Sequence, residues 1–170
     1  MGVFDITDGT FALWLDDKGD PNEPGFVYID SVIFSPLLAN GDFEATEGFA
    51  GSGWSWYSRE GTGGVEIVSD AQSGQRAAKV THPDRNDFVV SNNNRVTVNP
   101  GEVWEASIWA RTESLSNALP LGIAAYNNGD VISWDIAYGD RKIRGVNDWT
   151  LISAKARIPE GCNQISLRVN

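Results

Sequence analysis

A chain of 170 residues can bury one substantial hydrophobic core and is a little long for a minimal two-sheet domain. Its 41% hydrophobic and 21% charged residues, with 18 Gly against 7 Pro, exclude wholesale disorder, because that balance offsets the ordering entropy of the chain. A formal net charge of −10, from 23 acidic and 13 basic side chains, repels phosphate backbones and argues against a nucleic-acid partner.

In chain order, the opening MGVFDITDGT has neither a basic n-region nor an apolar run, so no signal peptide is expected. Thr10–Asp16 reads as an extra strand, able to lengthen a sheet or to cross to a neighbouring molecule. Short runs then follow at Phe26–Asp30, Val65–Val68, Ala77–Val80 and Arg95–Val98, each ending at Gly, Pro, Asn or Asp. Longer ones are Trp104–Arg111, Leu121–Tyr126, Trp149–Arg157 and Ile165–Val169. The turn formers Asn40-Gly41, Asn99-Pro100-Gly101, Asn128-Gly129-Asp130 and Pro159-Glu160-Gly161 separate them. Trp104 and Trp109 fall on opposite parities of one strand, so they face opposite sides unless a bulge intervenes. Core packing is nevertheless the expectation for Trp104, Trp109 and Trp149, and exposure for Trp134 in the polar run from Asn127 to Gly145. Cys162 is the one cysteine, so no intramolecular disulfide can form. No stretch approaches the ~20 apolar residues of a bilayer span, and no membrane partner is expected. Without any sustained helical period, the chain reads as all-β, one domain plus an arm.

Catalytic chemistry lacks its usual parts. His82 is the single histidine and lies in a polar Thr-His-Pro-Asp-Arg turn. A nucleophilic triad would need it as base, and a zinc site would need more His and Cys. No phosphate-cradling loop precedes a helix. Two carboxylates suffice for a glycosidase, but no segment resembles one, and the chain is read as a non-enzyme.

From about Leu37 onward a series of segments occurs in a particular order. They are Leu38–Glu44, Gly53-Trp54, Ser73–Val80, Val98–Trp104, Ser107–Arg111, Trp149–Ile152 and Ile158–Gly161. The set resembles the carbohydrate-binding modules of families four, nine and twenty-two. That resemblance implies a jelly-roll β-sandwich of two antiparallel sheets. Family members close with a strand of the kind "vyiDDv"; here its match sits at the front, in Gly25–Phe34, which reads as a circular permutation. The implied organisation is an N-terminal arm over 1–24 and a sandwich over 25–170 with strand 25–34 placed first.

The resemblance also implies sites. A structural calcium would be held by Asp30, the Gly41 carbonyl and Glu44, oxygen donors of the kind hard cations take. Sugar rings would stack on aromatic faces of the concave sheet: Tyr126, Trp134 and Tyr138, with Arg141 or Asp135 as polar partners and Trp56 and Tyr57 at one end. Two functions are compatible with such a module. One is a structural decoration or appendage protein of a virion, bound to neighbouring subunits, homo-oligomeric through residues 1–35, and still able to hold glycans. The alternative is a binding module that tethers an extracellular polysaccharide-degrading enzyme to its substrate. The expected location is accordingly a virion surface or the extracellular space.

Overall fold

The computed structural model describes residues 38, 40–44, 48–49, 53–59, 63–81 and 88–169. The extra strand, the front-placed strand 25–34, Asp30 and His82 lie outside them. Ten strands and no helix occur among the described residues: β1 (Trp54–Ser58), β2 (Gly64–Val68), β3 (Ala77–Thr81), β4 (Phe88–Asn92), β5 (Val96–Thr97), β6 (Val103–Leu119), β7 (Leu121–Asn127), β8 (Asp130–Tyr138), β9 (Ile143–Arg157) and β10 (Gln164–Val169). The expected runs fall inside β2, β3, β5, β6, β7, β9 and β10. Three strands went unread: β1, β4 and β8.

One sheet has the order β1-β4-β10-β7-β8, with β5 also pairing β10. Two ribbons, β2–β3 and β6–β9, complete the described strands. All pairings are antiparallel. Turn chemistry explains the joins. The two-residue link Asn128-Gly129 has positive φ at both positions (49° and 99°), the primed turn whose twist suits a hairpin, and it joins β7 to β8. Asn40-Gly41 also turns, with Gly41 N donating to Leu38 O at 3.0 Å; the Trp54 indole then donates to Asn40 O at 3.0 Å, tying this turn to β1.

Period-two alternation buries one face of each layer. In β9, Ile152, Ala154 and Ala156 are buried while Leu151, Ser153 and Lys155 point the other way. In the larger sheet Trp54, Phe88, Val90, Leu121, Ile123, Ala125, Ile165 and Leu167 point inward. Both sets belong to one hydrophobic cluster, with Val65, Ile67 and Ala78 of the shorter ribbon packed at its margin. The result is a β-sandwich. Each fully buried Leu or Ile contributes about 1.5–3 kcal/mol relative to exposure. Cys162 is buried and free.

The tryptophans divide by parity. Trp104 packs against the core and donates its indole N–H to Glu102. Trp109 pairs with Leu151 on the opposite face and is 49% exposed. Trp149 shares that face, outside the core, beneath the Arg111 guanidinium at 5.5 Å. Core packing therefore holds for Trp104 and fails for the other two. The inward positions of the ribbon are already filled by Ile108, Ala110 and Ile152.

Candidate functional site

The outward face of the six-stranded sheet is assembled by register. One cross-strand row runs Ser55–Ser91–Arg168–Gly122–Tyr138. A second runs Thr97–Gln164–Tyr126–Val131, with Ser166 and Ala124 paired between the two. Strand β8 does not follow β7 evenly: its register shifts between Ile123 and Ala125 and again between Ala125 and Tyr126. Extra residues on one strand re-aim side chains. Here neighbouring Trp134 and Asp135 both reach the outward face. Trp134 meets the Tyr126 ring edge-on at 6.3 Å between centroids, and Asp135 lies over Gly122, where an added Cβ would stand 2.7 Å from Oδ1. Glycine at 122 is what makes room for that carboxylate.

Rings, cations and sequestered acceptors share this surface. Trp134 is 54% exposed and Tyr138 56%. Tyr126, at 5% exposure, is a support: its hydroxyl lies 3.0 Å from that of Ser166 and the Arg95 guanidinium covers its ring at 3.8 Å. The Arg168 guanidinium stands 4.7 Å from the Trp134 ring centroid. Asp135 Oδ1 and Gln164 Oε1 are buried with no hydrogen-bond partner, a costly condition for polar atoms. The Tyr138 phenol is held above its ordinary pKa, first by hydrogen bonding to the Asp135 carboxylate, then by its negative charge and by desolvation, with Arg168 opposing.

Of the residues expected to bind sugar, Tyr126, Trp134 and Tyr138 are thus brought to one face, together with Asp135. Tyr57, exposed and paired with Val89, has the same outward parity on β1. Trp56 has the inward parity of Trp54 and stacks on Phe88 at 5.5 Å, so it lies on the other side of the sheet. Arg141 follows β8, with Nε 3.6 Å from Asp140 Oδ2. Arg95, Gln164 and Arg168 were not anticipated. They come from strands distant in sequence, and only the pairing of β10 with β7 and β5 puts them beside the aromatics.

The described part of the expected calcium set is Gly41 and Glu44. Glu44 Oε1 accepts the backbone N–H groups of Gln75 and Arg76, both at 2.8 Å, and so holds the turn before β3. Among the described residues no group of three His, Cys, Asp or Glu side chains gathers to hold a metal.

Comparison with solved structures finds a likeness to the enzymatically active domain of tailspike protein 4 from bacteriophage CBA120, at 15% identity and a TM-score of 0.59. The likeness spans 79% of this chain and 18% of that much longer one, and shows a shared fold. No curated protein matches. The sequence profile of the carbohydrate binding domain of families 4 and 9 matches residues 35–170. On that match, across the same residues that build the sandwich and its aromatic face, the chain belongs to the carbohydrate binding domain family.

Proposed function

We propose that the outward face of the six-stranded sheet binds a glycan without cleaving it, and that the chain serves as a surface or appendage protein of a virion. The observation that carries the binding is the placement of two exposed rings, Trp134 and Tyr138, on one face with the Arg168 guanidinium 4.7 Å from the Trp134 centroid. Rings stack on sugar faces, and guanidinium donors reach sugar oxygens. The row carrying Gly122, over which Asp135 lies, holds Ser91, Arg168 and Tyr138 and no second carboxylate, whereas glycoside hydrolysis uses two flanking the bond. This arrangement supports the non-catalytic reading.

The virion setting is supported by the tailspike that shares this fold and by a composition that needs no disulfide. The alternative, a module of an extracellular polysaccharide-degrading enzyme, draws on the family itself. A structural calcium on Asp30, the Gly41 carbonyl and Glu44 is carried over from the family resemblance alone.

Titration of a glycan panel tests the face. Trp134→Ala and Tyr138→Ala should each weaken binding roughly tenfold, the scale of one lost ring contact. Equal affinity in both variants would sink the site, and release of reducing ends from a bound glycan would sink the non-catalytic reading. Light scattering on the full chain and on one lacking residues 1–16 tests the setting: an oligomer that becomes monomeric on truncation supports assembly, and a monomer in both favours the enzyme-module alternative.

A further inference from the structure

We infer that the glycan held by this face is acidic, a polymer of carboxylate-bearing sugars; the inference rests on the reading of the face as a glycan site and names the class of its ligand. The face carries two guanidiniums, Arg95 and Arg168, and neither is paired with a carboxylate among the described residues. Each is tethered to a backbone carbonyl: Arg95 Nη1 donates to Gly129 O at 3.0 Å and Arg168 Nη1 to Trp134 O at 3.3 Å. A guanidinium has five N–H donors, so most of each fork is left for something else. Arg111 shows the other arrangement, paired with Asp70 at 2.6 Å and Glu113 at 3.4 Å, and Arg141 lies against Asp140. The outward face thus offers two guanidiniums with donors to spare beside one carboxylate, Asp135, an excess of positive charge that suits an anion from outside.

Their mounting fits that use. Arg95 is laid on Tyr126 and Arg168 on Trp134, so stacking fixes both planar forks before a ligand arrives, and a fixed fork loses less freedom when it grips a carboxylate in two bonds. Arg168 also lies over the Trp134 ring, which still stands 54% exposed. The two stacks meet where Tyr126 and Trp134 touch, at 6.3 Å between ring centroids, so both guanidiniums flank one pair of rings. Asp135, on the same face, sets the counterweight, because its carboxylate repels densely charged polyanions such as polyphosphate. A hydroxyl-rich chain with spaced carboxylates fits the two guanidiniums with less repulsion.

The experiment titrates the full chain with polygalacturonate and alginate oligomers, with the carboxyl-reduced form of each, and with a panel of neutral glucans, xylans and galactans. The acidic oligomers should bind at least roughly tenfold more tightly than their reduced forms, the scale of one charge-assisted contact, and lose affinity in high salt. Arg95→Ala and Arg168→Ala should each remove roughly tenfold for the acidic oligomers, a larger loss than the reduced forms show. Arg168→Gln, which keeps a planar donor, checks that folding is intact by retaining the melting temperature. Reduced or neutral glycans binding as well as acidic ones would overturn this inference and leave the glycan site standing. Polyphosphate binding as tightly as the acidic oligomers would overturn it as mere charge attraction. Failure to bind any member, acidic or neutral, would overturn both.

Discussion

Asp135, Gly122 and Tyr138 form the tightest chemical unit of the outward face. Gly122 is required because the Asp135 carboxylate occupies the space of its missing Cβ, and that carboxylate raises the pKa of the Tyr138 phenol. The sign of the resulting pH dependence is set by the direction of the shift. A phenol whose folded pKa lies above the unfolded value near ~10 adds stability that is fully present below that value and is lost as pH rises through the folded one. Tyr138 should therefore ionise later than an ordinary tyrosine when phenolate absorbance is followed, and Asp135→Asn should bring it back toward the usual range. An unchanged Tyr138 titration in that variant would show that the carboxylate is not the cause. At this scale the aromatic residues were legible in sequence, because Trp134 and Tyr138 stand in a polar run. The orphaned acceptors were not: whether Asp135 Oδ1 or Gln164 Oε1 finds a partner depends on neighbours from other strands.

Among the elements, turns carry much of the stability that sequence can reveal. Asn99-Pro100-Gly101 was legible as a turn, and Gly101 indeed has a φ of 86°. What closes it is Glu102, whose carboxylate accepts from Asn99 N at 3.0 Å, Asn99 Nδ2 at 2.7 Å and Trp104 Nε1 at 2.9 Å. The Asn99 side chain, then its amide, then the indole hold the Glu102 pKa below its ordinary value. A depressed carboxyl pKa contributes stability present above the unfolded value near ~4.3 and lost as pH falls through the folded one. Glu102→Gln should lower the melting temperature at neutral pH, and the gap from the wild type should narrow in acid below the unfolded value of ~4.3 and close as pH falls through the lower, folded one. A gap that persists in acid would mean that the charge is not what the turn uses. Strand β8 shows the opposite case. Its pattern, Asp-Val-Ile-Ser-Trp-Asp-Ile-Ala-Tyr, mixes exposed and half-buried positions because bulges break the alternation, so simple parity misassigns which side chains share a face.

At the scale of the whole molecule, the described strands form two layers around one core, and the proposed binding surface is the outer side of the larger sheet. Rigidity there comes from β7, buried on both faces from Leu121 to Tyr126. Backbone and small side chains such as Gly122 and Ala124 let residues of β8 and β10 close over it. The calcium reading, which comes from the family resemblance, is tested at this scale. Calcium added after chelation should raise the melting temperature of the full chain, and Glu44→Gln should abolish the increment; an unchanged melting temperature would remove calcium from the account.

The sequence by itself determined the all-β class, the turns, and the family, because strand periodicity, Asn-Gly and Pro-Gly signals and the ordered motif set are local properties of the chain. It also determined that Trp104 and Trp109 part company, since side-chain parity needs nothing but the count of residues. Tertiary structure decided which of the two entered the core, that Trp56 turned inward onto Phe88 while Tyr57 turned out, and that Arg95 and Arg168 came to lie on Tyr126 and Trp134. Those outcomes depend on cross-strand register and on bulges, which bring together residues that lie far apart along the chain.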